Sequence, residues 1–520
     1  MLSADDERGR ATADGGRVTE WFVTPAPILG AHPDMCGIVG AVSNEPVAQL
    51  IYDSLGLLQH RGQDSTGIAT AEGSVFHLAR AKGQVREAYR TRDMRKLLGT
   101  MGIGHVRYAT AGKASAEEES QPFYVNAPYG IMLVHNGNLT NVRELRGDLF
   151  DVDRRHMNTQ SDTELLLNVL ATELQAVISG THLDTDQIFT AVERLHERVE
   201  GSYAVIAMIA GYGLLAFRDP NGIRPLVLGR RESTLTGADW VVASESLVPE
   251  ASGYDVVGDI APGEAVFITL GGEMIRKQCH PAPRLIPCSF EYVYLARPDS
   301  TMNGISVYDA RLRLGDSLAT TIARYSPMDD IDVVMPIPDS ARPSAMQVAR
   351  RLGLEYREGF YKNRYVGRTF IMPGQAARKK SVRQKLNAMP GEFRGKSVLI
   401  VDDSIVRGTT SREIVEMARQ AGARRVTFAS AAPPVRFPHV YGINMPSRAE
   451  LIAHGRTIPE ANDVLGADHL VYQEVEDMKN AILAGQSTVT DLEMSCFDGR
   501  YVAGRVDEEY LRWVEETTVS

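Results

Sequence analysis

The first half of the chain alternates short apolar strands with turns rich in Gly and Asn. The apolar runs include IVGAVS (38–43), GIMLVHNGNL (130–139), YAVIAMIAGYGLLAF (203–217) and EAVFITL (264–270). Between them lie stretches such as DTELLLNVLATELQAVI (162–178), where apolar residues recur every three or four positions, as on one face of a helix. This pattern predicts sheets with packed helices, an α+β domain over residues 36–270.

The second half alternates strands and helices in a regular order. Apolar strand patterns cover IDVVMPIP (331–338), SVLIVDD (397–403) and RRVTFASAAPP (424–434), and helical patterns cover ARPSAMQVARRLG (341–353) and SREIVEMARQAGA (411–423). The order predicts an α/β domain with a parallel sheet over residues 290–475, with ligands at the carboxyl ends of the strands. The proline-containing stretch 271–289 is predicted to be a linker, and residues 476–520 a helical extension.

Composition adds limits to this picture. The chain has 520 residues, which favours two domains, and 43% of them are hydrophobic and 23% charged, as in a soluble globular protein. It contains no apolar run near the roughly 18 residues that a membrane helix needs. The net charge of −10 argues against nucleic-acid binding, and four cysteines are too few for a disulfide scaffold. We therefore expect a cytoplasmic protein with neither nucleic-acid nor membrane partners.

Residues 1–35 form a leader that is acidic and rich in Gly, Ala and Thr, without a basic start or an apolar run. This is not the pattern of a secretory signal peptide. The leader is either a pro-segment that is removed or a stretch that is not translated in the cell. The Met35–Cys36 junction favours the second interpretation, because ordinary removal of an initiator methionine would then expose Cys36.

Cys36 is a candidate nucleophile because of its position before the first strand. A thiol at a chain terminus can use its own α-amino group as general base, since that amine has a pKa of about 7.7–8.0 and the thiol one of about 8.5. The alternative is a small buried apolar side chain, the commoner role of an unpaired cysteine.

Four further polar segments lie beside apolar strands, namely HRGQDSTGI (60–68), GIGHVRYATAG (102–112), HNGNL (135–139) and NTQSDTE (158–164). Together with CGI (36–38), their order and spacing resemble the class II, N-terminal-nucleophile glutamine amidotransferase domain. The segments FRDPNGIRPLVLG (217–229) and VASES (242–246) match the same domain, and we expect them to have a structural role near the glutamine site.

This resemblance implies that Cys36 attacks the side-chain amide of glutamine. The side chain of Asn136 and the backbone N–H of Gly137 would form the oxyanion hole. Without the resemblance, residues 136–137 would be interpreted as an Asn-Gly turn.

The same resemblance implies a glutamine-binding set. Arg107 would pair with the α-carboxylate and Asp162 with the α-ammonium group, while Arg61 and Gly62 would support the nucleophile loop. Taken alone, Asp162 is equally a carboxylate at a helix N-terminus.

The stretch VLIVDDSIVRGTT (398–410) is the most specific motif of the second half. Its two aspartates end a buried strand, and residues 404–410 lead into a helix whose N-terminus suits a phosphate. The motif resembles the phosphoribosyl pyrophosphate (PRPP) loop of type I phosphoribosyltransferases, which implies PRPP contacts at Asp402, Asp403, Ser404, Arg407, Gly408, Thr409 and Thr410. The bland alternative is a pair of acidic residues that closes a strand before a turn.

The resemblance also implies one Mg²⁺ per subunit, held by Asp402, Asp403 and Ser340 of PIPDSAR (336–342). Residues 361–396 contain ten Lys or Arg and one acidic residue. A charged surface loop is the ordinary interpretation, but here the run favours a lid over a polyphosphate. Its predicted contacts are Lys362, Arg364, Tyr365 and Arg368.

The two halves together resemble the amidophosphoribosyltransferase family. The resemblance implies that ammonia from glutamine displaces pyrophosphate from PRPP to give 5-phosphoribosylamine, the first step of purine synthesis. It also implies a sealed ammonia passage, glutamine hydrolysis that depends on PRPP, homotetramers, and feedback inhibition by AMP and GMP. The alternatives are a PRPP-sensing regulator without catalysis, a sugar-phosphate amidotransferase and a stand-alone glutaminase.

Some members of this family carry an iron–sulfur cluster on four cysteines, two of them in a C-x-x-C pair near the C-terminus. Here Glu493 lies three residues before Cys496, and beyond Cys36 the remaining cysteines are Cys279, Cys288 and Cys496. We therefore predict that the protein has no iron–sulfur cluster.

Overall fold

The computed structural model describes residues 36–107, 119–180, 182–233, 237–325, 330–363, 386–443, 445, 447–485 and 488–519. The predicted leader therefore lies outside the described residues. No helix within these ranges is long and apolar enough to cross a membrane.

The first half contains two antiparallel sheets. Their strands are β1 (Cys36–Val42), β2 (Ser65–Glu72), β3 (Val75–Lys82), β4 (Met101–Arg107), β5 (Phe123–Val125), β6 (Ile131–Leu139), β7 (Gly201–Ile209), β8 (Gly213–Arg218), β9 (Val227–Glu232), β10 (Ala238–Ala243), β11 (Asp255–Asp259), β12 (Glu264–Thr269) and β13 (Met274–Gln278). One sheet has the order β11-β9-β10-β1-β4-β2-β3 and the other the order β13-β12-β8-β7-β6-β5.

Helices cover the outer faces of both sheets. They are α1 (Ala48–Leu57), α2 (Val85–Ala88), α3 (Thr91–Met94), α4 (Val142–Asp151), α5 (Asp162–Val177), α6 (Thr185–Arg198) and α7 (Leu247–Ala251). Inside the sandwich, Ile38 and Ile103 of one sheet pack with Val134 and Ile206 of the other. The result is a helix–sheet–sheet–helix arrangement, which agrees with the predicted α+β class.

The second half is built around a parallel sheet. Its strands and those of two small ribbons are β14 (Thr301–Met302), β15 (Ile305–Ser306), β16 (Val333–Pro336), β17 (Glu355–Tyr356), β18 (Phe360–Lys362), β19 (Leu386–Ala388), β20 (Ser397–Asp402), β21 (Arg425–Ser430) and β22 (His469–Tyr472). The parallel sheet has the order β17-β16-β20-β21-β22, whereas β14 pairs with β15 and β18 with β19. The parallel sheet confirms the predicted α/β class.

The helices of the second half flank this sheet and extend to the C-terminus. They are α8 (Val307–Tyr325), α9 (Arg342–Leu352), α10 (Pro390–Phe393), α11 (Thr409–Gln420), α12 (Ile458–Leu465), α13 (Val475–Leu483), α14 (Ser495–Asp498) and α15 (Glu508–Val519). The last three belong to the predicted extension. Phe497 and Leu511 of this extension pack with Phe290 and Tyr292 in one apolar cluster, so the extension is part of a core.

The structure differs from two sequence predictions. The apolar run 203–217 is two strands, β7 and β8, joined at Gly211, which has a positive φ of 77°. The predicted linker 271–289 includes β13, which pairs with β12 and extends the sheet of the first half to Gln278. The prediction ended that domain too early because β13 (MIRKQ) is largely polar and looks like a loop.

Candidate active sites

Cys36 is the first residue of β1 and is 2% exposed. In the antiparallel pairing of β1 with β4 it lies opposite Arg107, the last residue of β4. Gly62 packs onto the same place, since a Cβ added to it would be 2.4 Å from the carbonyl carbon of Arg107. The fold therefore brings together three of the predicted residues, Cys36, Gly62 and Arg107.

The predicted oxyanion hole lies on β6, in the facing sheet, which packs against β1 and β4. Asn136 is completely buried, and neither its Oδ1 nor its Nδ2 has a hydrogen-bond partner among the described residues. Gly137 has a φ of 154°, and a Cβ there would lie 2.1 Å from the Ser202 carbonyl oxygen. Because an unpaired buried amide is costly, Asn136 marks a place where a ligand would satisfy it.

Asp162 begins α5 and is attached to the end of the same strand. Its Oδ2 accepts a hydrogen bond from the Leu139 backbone N–H at 3.2 Å. The Arg107 guanidinium donates to Glu119 Oε2 at 3.1 Å and is largely buried. Glu119 is a partner that the sequence did not indicate. One cationic and one anionic group beside the nucleophile and the oxyanion strand suit an amino acid that carries both charges.

The guanidinium group of Arg61 is bound to two buried carboxylates of the protein. Its Nε donates to Glu245, and its two terminal nitrogens donate to Glu291 at 3.2 and 2.8 Å. Burial alone would raise the pKa of Glu245, but the Arg61 charge beside it holds that pKa well below its usual range. Arg61 is therefore held by two buried carboxylates, and its support of the nucleophile loop stays a prediction. Glu245 lies in the VASES segment, whereas nothing in the sequence pointed to Glu291.

In the second half, Asp402 ends β20 and lies opposite Ser430 of β21. Asp402 and Asp403 are each 8% exposed. Asp403 accepts hydrogen bonds from the Ser340 hydroxyl and from the Ser404 hydroxyl, the latter at 2.7 Å. Burial raises the pKa of Asp402 well above its ordinary value, and the neighbouring Asp403 carboxylate adds to this shift.

The loop after these aspartates ends at Gly408, which has a left-handed φ of 72° and precedes the first helical residue, Thr409. Thr409 and Thr410 thus form the first turn of α11, where backbone N–H groups have no acceptor within the helix. The phosphate site predicted from the sequence would lie at this helix N-terminus. Arg407, which is also a predicted PRPP contact, forms an exposed ion pair instead: its Nε lies 3.3 Å from Glu450 Oε1.

Lys362 lies at the base of the predicted lid. Its Nζ is 2.7 Å from Asp339 Oδ2, next to Ser340, and in the pairing of β18 with β19 it lies opposite Leu386. The lid base therefore reaches the Ser340–Asp403 site. Arg364, Tyr365 and Arg368 lie outside the described residues.

The residues at this site fit Mg²⁺. Two adjacent buried carboxylates and the Ser340 hydroxyl are hard oxygen donors, and burial raises the pKa of both carboxyl groups, so a bound cation would favour their charged forms.

The residues that could hold an iron–sulfur cluster do not fit one. Cys288, His439 and Glu493 lie together, fully buried. His439 Nδ1 accepts the Tyr441 backbone N–H at 3.2 Å, so its Nε2 carries the proton and donates to Glu493 Oε2 at 3.0 Å. Burial also raises the pKa of the Cys288 and Cys496 thiols. This group is satisfied by its own hydrogen bonds and lacks four thiolates.

Comparison with protein-family models agrees with this division. A glutamine amidotransferase domain matches residues 105–247, and a phosphoribosyl transferase domain matches residues 306–434. Fold and sites thus define a glutamine amidotransferase joined to a phosphoribosyltransferase.

Curated relatives match nearly the whole chain. The amidophosphoribosyltransferases of Pseudomonas aeruginosa and Escherichia coli are 55% and 54% identical, over 93% and 92% of this chain and 96% and 95% of theirs. The enzyme of Saccharomyces cerevisiae is 48% identical over 93% of this chain and 95% of its own. The chain belongs to the amidophosphoribosyltransferase family. It is a glutamine-dependent PRPP amidotransferase of purine biosynthesis, a result that does not favour the PRPP-sensing regulator.

Solved structures give the same answer. Glutamine PRPP amidotransferase from B. subtilis, complexed with ADP and GMP, is 35% identical with a TM-score of 0.79, covering 91% of this chain and 98% of that one. A structure described as the allosteric regulatory enzyme of purine biosynthesis is 36% identical with a TM-score of 0.81, covering 92% and 99%.

Proposed function

We propose that glutamine binds between Arg107 and Asp162 with its side-chain amide at Cys36. The Cys36 thiol gives its proton to its own α-amine and its sulfur attacks the amide carbon. Asn136 Nδ2 and the Gly137 N–H stabilise the oxygen that becomes negative. The C–N bond then breaks, the nitrogen takes the proton and leaves as ammonia, and water hydrolyses the thioester, which gives glutamate and regenerates the Cys36 thiol.

The second half uses that ammonia. PRPP lies with its ribose hydroxyls at Asp402 and Asp403 and its 5′-phosphate at the N-terminus of α11, where Ser404, Gly408, Thr409 and Thr410 surround it. Ammonia attacks C1 of the ribose while the bond from C1 to the pyrophosphate oxygen breaks, and the nitrogen loses a proton. Mg²⁺ held by Asp402, Asp403 and Ser340 would neutralise charge on the leaving pyrophosphate.

The lid completes the proposal. Lys362, Arg364, Tyr365 and Arg368 close over the polyphosphate, so that glutamine hydrolysis depends on PRPP and ammonia travels in a sealed passage. The position of Lys362 beside the Ser340 loop supports this role.

The observation that carries the proposal is the buried amide of Asn136 next to Gly137, which has no hydrogen-bond partner within the part of the chain that the structure describes. Replacing Asn136 by Ala should lower glutamine-dependent synthesis about 10²- to 10³-fold, as for the loss of one oxyanion donor, and leave synthesis from added ammonia unchanged. Asn168→Ala is the matched control, because Asn168 is a buried Asn that donates to the Glu164 carbonyl on α5. Equal glutaminase rates in Asn136→Ala and wild type would contradict the assignment.

Five further properties belong to the proposal. The enzyme is a cytoplasmic homotetramer, AMP and GMP inhibit it, it uses Mg²⁺, and it contains no iron–sulfur cluster. The nucleotides bound by the B. subtilis enzyme support nucleotide effectors, and the Cys288–His439–Glu493 hydrogen bonds support the absence of a cluster. Light scattering, inhibition assays and iron and sulfide analysis of the purified protein test these points.

A further inference from the structure

A short segment of the second half, Val440–Gly442, lies directly behind the oxyanion strand of the first half. Val440 and Tyr441 are 2% and 0% exposed, so the contact is fully buried. The predicted residue roles did not include this segment, and none of its residues belongs to the proposed glutamine or PRPP site.

Three consecutive residues of the segment contact β6 and its neighbour β7. The Val440 carbonyl accepts a hydrogen bond from Asn138 Nδ2 at 2.8 Å, and the Tyr441 carbonyl accepts one from the Ser202 hydroxyl at 3.0 Å. The Ser202 oxygen in turn accepts the Asn138 backbone N–H at 3.3 Å. The segment thus holds Asn138, the residue that follows Gly137, through one direct hydrogen bond and through two further hydrogen bonds in series at Ser202.

Gly442 touches Gly137 itself. A Cβ added to Gly442 would lie 2.9 Å from both the Cα and the carbonyl carbon of Gly137, and 3.0 Å from its oxygen. Gly137 is also confined by the Ser202 carbonyl, as described above. Gly442 therefore packs on the Cα and the carbonyl group of Gly137, and a side chain at position 442 would push this residue, whose backbone N–H is the predicted oxyanion donor.

The segment is held from the second half by its own contacts. The Tyr441 hydroxyl donates to the Ala503 carbonyl at 2.7 Å and accepts the Ala503 N–H at 2.9 Å. Residues 431–442 also join it to the PRPP site, since the Ala431 N–H donates to the Asp402 carbonyl at 2.9 Å. The segment thus links the oxyanion strand to the half that contains the predicted PRPP site.

We propose that Val440–Gly442 is a positioning segment for the oxyanion hole, with Gly442 as its critical residue. This inference rests on the proposed role of Gly137 in glutamine hydrolysis. The oxyanion hole stabilises charge only in the transition state, so its displacement lowers kcat for glutamine and leaves KM unchanged.

The test compares Gly442→Ala with Gly466→Ala. Both glycines have a positive φ, 91° and 79°, but a Cβ on Gly466 would meet nothing within 4 Å, so this control carries the same backbone strain without the contact. We expect Gly442→Ala to lower kcat of glutamine hydrolysis about 10²-fold, as for a lost oxyanion donor, with unchanged KM and unchanged ammonia-dependent synthesis. The control should keep the wild-type kcat.

Two results would overturn the inference. One is a wild-type kcat in Gly442→Ala, and the other is an equal loss of the glutamine- and ammonia-dependent activities. If Gly442→Ala does not fold, Ser202→Ala tests the inference in its place, because it removes the hydroxyl that links Tyr441 to Asn138. A fall in kcat of several-fold with KM kept supports the inference, and an unchanged kcat overturns it. Wild-type protein without glutaminase activity would instead contradict the proposed function.

Discussion

Arg61 and Glu291 are 230 residues apart in the sequence and form a two-point ion pair at 3.2 and 2.8 Å, with both side chains 2% exposed. Arg61 belongs to the nucleophile loop and Glu291 to the start of the second half. Glu291 also accepts a hydrogen bond from Arg224 at 2.6 Å, so one carboxylate holds two buried guanidinium groups. The ion pair therefore fixes the glutamine site to the phosphoribosyltransferase half.

Replacing Glu291 by Gln should destabilise the protein by about 3–5 kcal/mol, because it removes the negative charge between two buried guanidinium groups, although Arg61 keeps its ion pair with Glu245. The rate of glutamine hydrolysis should also fall, since the nucleophile loop loses the ion pair between Arg61 and Glu291. Glu264→Gln is the control, because its partner Arg276 is 42% exposed and such pairs contribute at most about 1 kcal/mol. Calorimetric unfolding of both variants measures the difference, and equal losses of stability would contradict the role given to burial.

The sequence predicted most elements of both halves because their apolar periods are clear. The helix predicted at 162–178 is Asp162–Val177, and the strand predicted at 397–403 is Ser397–Asp402. The predicted catalytic and PRPP motifs could be recognised for a related reason, since each is a continuous stretch of sequence. In contrast, the contacts of Glu291 with Arg61 and of Gly442 with Gly137 join distant parts of the chain. No local sequence pattern distinguishes Glu291 or Gly442 from other residues of their type.

The pH dependence of stability should show the effect of His196 on α6. Burial lowers the pKa of His196 to about 3, while its Nδ1 lies 2.8 Å from the Tyr203 hydroxyl. The folded protein keeps this ring neutral, whereas the unfolded chain binds a proton below a pH of about 6.5. The stability that His196 provides is therefore complete above that pH and is lost progressively as the pH falls towards 3.

His196→Gln keeps an uncharged acceptor and removes this titration. Between pH 7.5 and pH 5, the wild type should lose about 2 kcal/mol of unfolding free energy more than the variant loses. Urea unfolding at several pH values measures the two curves. Parallel curves would show that His196 does not titrate differently on folding.

The role of the Cys36 amine predicts a difference between two recombinant chains. A chain that begins at Met35 should lose this methionine and show glutamine-dependent synthesis, because the amine is then the general base. A chain that keeps residues 1–35 should use only added ammonia. Intact mass and glutamate release test this on the same samples, with Cys36→Ser in the shorter chain as control. Full glutamine-dependent activity of a chain whose mass includes the leader would refute the mechanism.

We expect Asp402 to be required for activity although its charge lowers the stability of the fold. Its carboxylate is buried beside that of Asp403, and burial raises its pKa well above the ordinary value. A raised carboxylate pKa means that the charged form destabilises the fold at neutral pH, and that this penalty fades as the pH falls through the folded-state pKa. Asp402→Asn should therefore raise Tm by about 2–4 °C at pH 7.5. The gain should shrink at pH 5.

Activity should change in the opposite direction. Ammonia-dependent synthesis by Asp402→Asn should fall by about 100-fold or more, and Mg²⁺ with PRPP should raise Tm of the wild type but not of the variant, because ligands stabilise only the state that binds them. Asp239→Asn is the control, for which we expect a change in Tm of the opposite sign. Burial alone would raise the pKa of Asp239, but its hydrogen bond from Arg231 lowers it, so that its loss should lower Tm. A lower Tm for Asp402→Asn would contradict this prediction. It would show that other groups of the protein already stabilise the Asp402 charge, so that Asp402 and Asp403 need no bound cation for stability.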